Sequence, residues 1–262
     1  MVVFAGQGDA RRAMSLLWRE PGAEEPRPGP KPALTVDAIV AAAIGIADEH
    51  GMAGLSMRAV GERLGRTGMA LYTYVPSKSE LVDLMYDAVI AEAHHTYDLG
   101  GGWRTALVAW AEDLWEFYLR HPWVLQVSQA RPVLGPNEYV VLDTVFRIMF
   151  ETGLEPPEVR RLTGALFQFV RAVAQVVAEA RAAAAATGTS DEEWWYARSA
   201  LLMELAPDFN TRFPMVTKLA QADGFTLTDE TTPYQEQATT EMFHSGLMAL
   251  LDGIEARVAR KP

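Results

Sequence analysis

The segment Leu55–Lys78, LSMRAVGERLGRTGMALYTYVPSK, leaves this chain few ways to fold. Ser56 is an N-cap residue, and Leu55 before it is placed to pack on Val60 as a hydrophobic staple. Met57, Val60 and Leu64 recur at helical spacing, which gives one buried stripe on a very short helix. Gly65 supplies the left-handed residue that stops a helix at least cost. Thr67 is placed to cap a second short helix through Met69, Ala70, Leu71 and Tyr72, with Leu71 turned back toward Val60 and Leu64. Two short helices about a tight turn make a helix-turn-helix, whose second helix enters the DNA major groove.

The flanks continue the pattern. Thr35 caps a preceding helix, Asp37 complements its dipole, and Ile39, Val40, Ala43, Ile44 and Ala47 form its core face up to a stop at Gly51. Ser77-Lys78-Ser79-Glu80 has the form of a capping box and opens a helix expected to reach about Tyr97. From about Thr35 to Tyr86 the chain resembles the DNA-binding domain of the TetR-type (tetracycline-repressor-like) transcriptional regulators. The stretches LTVDAIVAAAIGIADEHG, LSMRAV, LG, ALYTYV and PSKSEL, in that order, carry the resemblance.

That resemblance implies which residues meet DNA. Gly68, Met69, Ala70 and Thr73 match base-facing positions, Arg58 matches a base-reading arginine, and Tyr72, Tyr74 and Lys78 match backbone contacts; Thr67, opening the recognition helix, joins them. Methyl groups on Met69, Ala70 and Thr73 can meet thymine methyls, whereas bidentate reading by Arg, Asn or Gln is missing from that helix. The alternative for the tyrosines is core closure. A cation at a helix start opposes the dipole; either Glu80 simply offsets that cost, or Lys78 with the free amides there holds a phosphate, as the resemblance implies. Arg66 stands where the family has an apolar residue; a phosphate contact and a cover for the turn both remain open.

No cysteine is present, which excludes disulfides and thiol chemistry. The longest apolar run, Ala38–Ala47, is too short to span a bilayer. With no signal-peptide pattern, the expectation is a soluble cytoplasmic protein. Net charge is −11, yet residues 1–78 carry nine Lys/Arg against eight Asp/Glu, and residues 79–262 carry 14 against 26. The acidity therefore lies outside the DNA reader, where it keeps the larger part soluble.

Residues 1–33 are expected to be a flexible extension with one short helix, Ala10–Trp18, followed by a stretch whose five prolines forbid regular structure. Arg27 and Lys31 there suit a minor-groove arm or a solvated linker. Residues 34–80 form the three-helix DNA-binding domain, and residues 81–262 a helical effector-binding and dimerisation domain. The fold class is all-α. Beyond Gly100-Gly101-Gly102 the expected helices are Trp103–Arg120, a helix to about Thr152, Pro156 to about Ala186, one through EEWWYARSALLMEL, and Tyr234–Arg260, with irregular chain before the last. HPW, RP, PPEV and FHSGLMALLDGIEA also resemble the ligand-binding domain of the tetracycline-repressor branch.

Six of the seven tryptophans lie between Trp103 and Trp195, as an aromatic-lined cavity between helices would need, although aromatic stripes also make ordinary core. Gln168, Arg171 and Gln175 share one face of an apolar helix, as ligand-orienting groups or as a solvated stripe. The candidate effector residues are Trp110, Trp123, Gln126, Asn137, Phe167, Gln168 and Arg171. The candidate dimer stripe is Phe169 and Val173 with Phe243, Leu247, Leu250 and Ile254, two helices per subunit making a four-helix contact as in the family. His94 and His95 point apart, and His50, His121 and His244 are isolated, so no metal or other cofactor is expected. Val127 and Ser128 stand where the tetracycline branch has a metal-liganding histidine, which argues against a metal–tetracycline ligand. No nucleophile–base set is visible.

The resulting expectation is a non-enzymatic, homodimeric repressor that leaves a palindromic double-stranded operator when a small apolar or aromatic effector binds. A ligand-blind architectural protein, or a helical small-molecule enzyme with an accessory DNA module, is the alternative.

Overall fold

The computed structural model describes residues 3–4, 6–19, 34–222, 224–226 and 232–260. Arg27 and Lys31, read as an arm or a linker, lie outside the described residues. The elements are β1 (Val3–Phe4), α1 (Ala10–Leu17), α2 (Val36–Gly54), α3 (Met57–Arg63), α4 (Gly68–Leu71), α5 (Lys78–Ile90), α6 (Gly102–Arg120), a 3-10 turn (Pro122–Gln126), β2 (Val127–Ser128), α7 (Pro136–Phe150), α8 (Pro156–Thr187), α9 (Asp191–Leu205), α10 (Phe209–Arg212), α11 (Pro214–Gln221) and α12 (Tyr234–Ala259). Among the described residues the fold is all-α apart from one two-residue parallel pairing, Val3 with Val127 and Phe4 with Ser128. It divides into two compact units, Met1–Arg171 with Ile254–Pro262, and Ala172–Gly253.

In the first unit the caps decide where helices start. The Thr35 hydroxyl accepts from Ala38 N at 3.1 Å, the Ser56 hydroxyl from Ala59 N at 3.1 Å, and the Ser77 hydroxyl from Ser79 N at 3.0 Å. Gly51 and Gly65 sit at φ +65° and +64°, where a glycine is needed to break the helical path. Ile39, Val40, Ala43, Ile46, Val60 and Leu71 close the small core of α2–α4. Ile46, rather than the half-buried Ile44, completes the inward stripe of α2. α5 stops at Ile90, short of the expected Tyr97, and its residues from Leu81 to Tyr86 are buried, because α1, α2 and α7 all pack against it. Leu107, Trp110, Leu114 and Phe117 form the buried stripe of α6.

The N-terminal extension is not wholly free chain. Its helix is capped by Asp9, whose side chain accepts from Arg12 N at 2.8 Å, and it buries Ala13 and Leu17 where α1 packs on α5.

In the second unit Val173, Ala174, Val177, Phe243, Leu247 and Leu251 are buried. This corrects the expected dimer stripe. Val173, Phe243, Leu247 and Ile254 lie inside a single chain and are not available to a partner, while Phe169 and Leu250 are half-buried. Two short helices, α10 and α11, occupy the stretch expected to be irregular. α9 buries none of its residues; Trp194 and Trp195, edge to face at 5.1 Å, are both exposed.

Candidate DNA-reading surface and effector pocket

The reading head follows from the α3–α4 crossing. A Cβ on Gly61 would stand 2.8 Å from the backbone nitrogen of Gly68, and one on Gly68 would stand 3.1 Å from the Met57 carbonyl oxygen. The two glycines therefore let the helices touch backbone to backbone. Gly68, expected to face a base, instead turns its bare α-carbon toward α3; this is a correction.

The remaining reader residues divide by exposure. Met69 is 76% exposed, and Arg58, Thr67, Tyr72, Thr73 and Lys78 are also on the outside. Ala70 and Tyr74 are half-buried. Arg58 donates from Nε to Glu62 at 2.7 Å, which holds it along α3. Lys78 reaches back, and its Nζ donates to the Leu55 carbonyl at 2.6 Å. An ammonium has three protons, so this bond leaves donors for a phosphate while tying the start of α5 to the reader.

A second tie joins α2 to the 3-10 turn. Asp48 Oδ1 accepts from Trp123 Nε1 at 2.8 Å and lies 2.8 Å from His121 Nδ1, and His121 Nε2 lies 3.1 Å from Glu92. Trp123, expected to line an effector site, is fully buried and serves this junction instead. The HPW motif is therefore a joint between the reader and the larger helical part of the same unit.

A cavity of about 360 Å³ opens among α5, α6, α7 and the start of α8. It is lined by Tyr86 and Ile90, Tyr118, Gln129, Pro132 and Leu134, Glu138, Tyr139, Val141 and Leu142, and Gly164, Phe167 and Gln168. Three phenols and Phe167 give it aromatic walls. Burial pushes the Tyr86 and Tyr118 phenols up, so both stay protonated as hydrogen-bond donors. Gln168 Nε2 donates to Gln129 Oε1 at 2.9 Å, and Gln129 lies beside both phenols. The polar groups of the lining are thus two amides, three phenol hydroxyls and the Glu138 carboxyl, enough to orient a mainly apolar ligand.

Of the seven expected effector residues, the cavity takes Phe167 and Gln168. Trp110 stands behind it, edge-on to Phe167 at 4.9 Å. Arg171 is engaged by backbone: its guanidinium donates to the carbonyls of Val124 at 3.4 Å and Val127 at 2.9 Å, and bonds Leu125 as well. Asn137 is engaged too, donating from Nδ2 and N to Asp87, which thereby caps α7 from α5. Burial pushes the Asp87 carboxyl up against the lowering effect of these bonds. Gln126 does not line the cavity. Tyr86, Tyr118, Gln129, Glu138 and Tyr139 escaped sequence reasoning, because only the packing of α5 and α6 on α7, with the loop after β2, brings them together.

A helix-turn-helix joined through two polar ties to a helical domain with an aromatic cavity defines a class: DNA-binding transcriptional regulators. Comparison with known proteins gives the family. Residues 39–85 match "Bacterial regulatory proteins, tetR family", and residues 98–258 match "Tetracyclin repressor-like, C-terminal domain". The chain is 38% identical over 258 residues to the HTH-type transcriptional repressor DrrR1 of Streptomyces coeruleorubidus, covering 98% of this chain and 90% of that protein. It is similar in structure to the TetR family protein ActR of Streptomyces coelicolor in complex with actinorhodin, with TM-score 0.68, 26% identity, and coverage of 86% of this chain and 99% of that one. The ActR complex with (S)-DNPA gives TM-score 0.66 at 25% identity, covering 85% and 98%. The chain belongs to the TetR family.

Proposed function

We propose that this regulator is a homodimeric cytoplasmic repressor, released from a palindromic operator when a planar, polycyclic aromatic effector fills the Tyr86–Gln168 cavity. One observation carries this reading. α5 starts at Lys78, bonded to the reader, and two turns later contributes Tyr86 to the cavity wall. A ligand that moves Tyr86 acts on the same rigid helix that holds the reader. It need only bind the DNA-incompetent arrangement more tightly, and its differential affinity sets the size of the response. The aromatic walls and the likeness to a protein solved with actinorhodin support a polycyclic ligand.

The DNA contacts of this reading are Arg58, Thr67, Met69, Ala70, Tyr72, Thr73, Tyr74 and Lys78. For dimerisation, the outer stripe of α12, Met242, Ser245, Ala249 and Gly253, is exposed and built of small residues after Met242. Such a stripe lets a partner helix approach closely and takes the place of the apolar stripe spent inside the chain. A ligand-blind architectural role leaves the cavity without a purpose. Catalysis lacks support too, since the carboxyl that lines the cavity, Glu138, accepts from Leu134 N at 2.7 Å.

The test is fluorescence anisotropy of a labelled operator duplex titrated with actinorhodin. Loss of bound DNA as actinorhodin saturates the protein is expected. Saturation with unchanged operator affinity would leave a ligand-blind DNA binder.

A further inference from the structure

Residues 3–4 and 6–19 do not line the cavity, yet they are held at several points along their described length. β1 pairs with β2, directly after the 3-10 turn that Arg171 clamps. Gly6 N donates to the Asp83 carboxylate at 3.0 Å, and Gly8 lies so close to Glu80 that a Cβ would stand 1.7 Å from a carboxylate oxygen. α1 then buries Ala13 and Leu17. Trp18 Nε1 donates to the Leu134 carbonyl at 3.0 Å, and its ring stands 6.2 Å from that of Tyr139. Arg19 is ion-paired with Asp37 in the first turn of α2.

Leu134 makes this arrangement informative. Among the described residues it is the one non-glycine residue at positive φ, +64°. A side-chain-bearing residue stays in that left-handed region only when its surroundings hold it there. Two groups do so: the Glu138 carboxylate takes its N–H at 2.7 Å, and the Trp18 indole takes its carbonyl. Leu134, Glu138 and Tyr139 all line the cavity. The strap therefore touches the cavity rim at Trp18 and the reader's first helix at the next residue.

We infer that the segment Val3–Arg19 is a working part of the effector site: Trp18 is a positioning residue that holds the cavity rim at Leu134, and Arg19 ties that rim to α2, so rim movement on ligand binding reaches the DNA reader. This rests on the effector site proposed above. It adds to α5 a second mechanical link, one that runs outside the helical core.

The test uses the full-length protein with Trp18→Ala, Trp18→Phe and Arg19→Gln. Trp18 is 53% exposed, so its truncation leaves the core intact. A readout without ligand is hydrogen exchange at the amides of Leu134 and Glu138, expected to quicken about tenfold in Trp18→Ala and less in Trp18→Phe, which keeps the ring but lacks the donor. In a Leu134→Gly background Trp18→Ala should change exchange by less than about twofold, since glycine holds the left-handed conformation unaided. Arg19→Gln should leave rim exchange and actinorhodin affinity unchanged, yet need about fivefold more actinorhodin to free half the operator duplex. Unchanged rim exchange in Trp18→Ala overturns the positioning role. Release in Arg19→Gln identical to wild type overturns the tie. If wild type ignores actinorhodin altogether, that effector assignment falls, while rim exchange still decides whether the strap positions the rim.

Discussion

His121 Nδ1 lies 2.8 Å from Oδ1 of Asp48, a carboxylate 73 residues earlier in the chain, and the same oxygen accepts the Trp123 indole proton. One side chain on α2 thus serves two ring nitrogens on the neck of the larger helical part. Asp48→Ala strands both in a buried setting and is expected to cost about 3 kcal/mol. Asp48→Asn, which keeps an acceptor, should cost less. Urea unfolding measures both, and an alanine variant with the wild-type midpoint would show that the joint carries no energy.

The contact between Gly61 and Gly68 leaves no room for a methyl group. Gly61→Ala must push α3 from α4, because a Cβ would meet Gly68 N at 2.8 Å and the Arg66 carbonyl at 2.9 Å, both backbone atoms that cannot step aside. A stability loss of about 1–3 kcal/mol is expected, with operator affinity falling further than folding explains. Operator binding equal to wild type, measured by anisotropy on folded protein, would contradict the crossing.

Much of this region is legible from sequence because its signals are local. Ser56, Gly65, Leu71 and Ser77 each do what their neighbours dictate: cap, left-handed stop, buried contact, cap. The cavity is not legible in that way. Tyr86 and Glu138 are half a hundred residues apart, and nothing local marks them as facing each other. Trp123 reads as a ligand wall by type, but its partner Asp48 exists only in the fold. Periodicity likewise finds the apolar stripe of α12 without saying whether the chain's own core or a second copy covers it. The strap was hidden for another reason: its contacts, Asp83, Leu134 and Asp37, lie 77, 116 and 18 residues along the chain from the strap residues they hold.

Asp83 carries a pH dependence of definite sign. Burial pushes its carboxyl from 3.8 up to about 6, with Glu80 and Glu138 adding to the rise and the Gly6 N–H opposing it. The folded chain therefore binds this proton more tightly than the unfolded chain. Stability falls as pH rises from about 4 to about 6, by up to roughly 3 kcal/mol, and stays lowered above that. Asp83→Asn removes this cost and keeps an acceptor for Gly6, so its melting temperature should exceed wild type at pH 8 and converge with it near pH 4. A variant no more stable than wild type at pH 8 would show that the buried charge is fully compensated.

The outer stripe of α12 makes a separable prediction about assembly. A Cβ on Gly253 meets no atom within 4 Å in the single chain, so Gly253→Arg is tolerated by the subunit. On a close helix–helix contact between copies the same arginine would bury a charge. Light scattering is then expected to find a dimeric wild type and a folded, monomeric variant; a dimeric variant would move the interface elsewhere.

Selection of bound duplexes from a random DNA library, with wild type and Tyr72→Ala run side by side, tests the reader most directly. Tyr72 is 41% exposed on the recognition side and lies outside the buried core, so its loss should spare folding. Wild type is expected to enrich a palindromic consensus with half-sites about one helical turn apart, and Tyr72→Ala to enrich it weakly or not at all. Wild type enriching nothing at low salt, where phosphate contacts are strongest, would contradict a DNA-reading function for this chain.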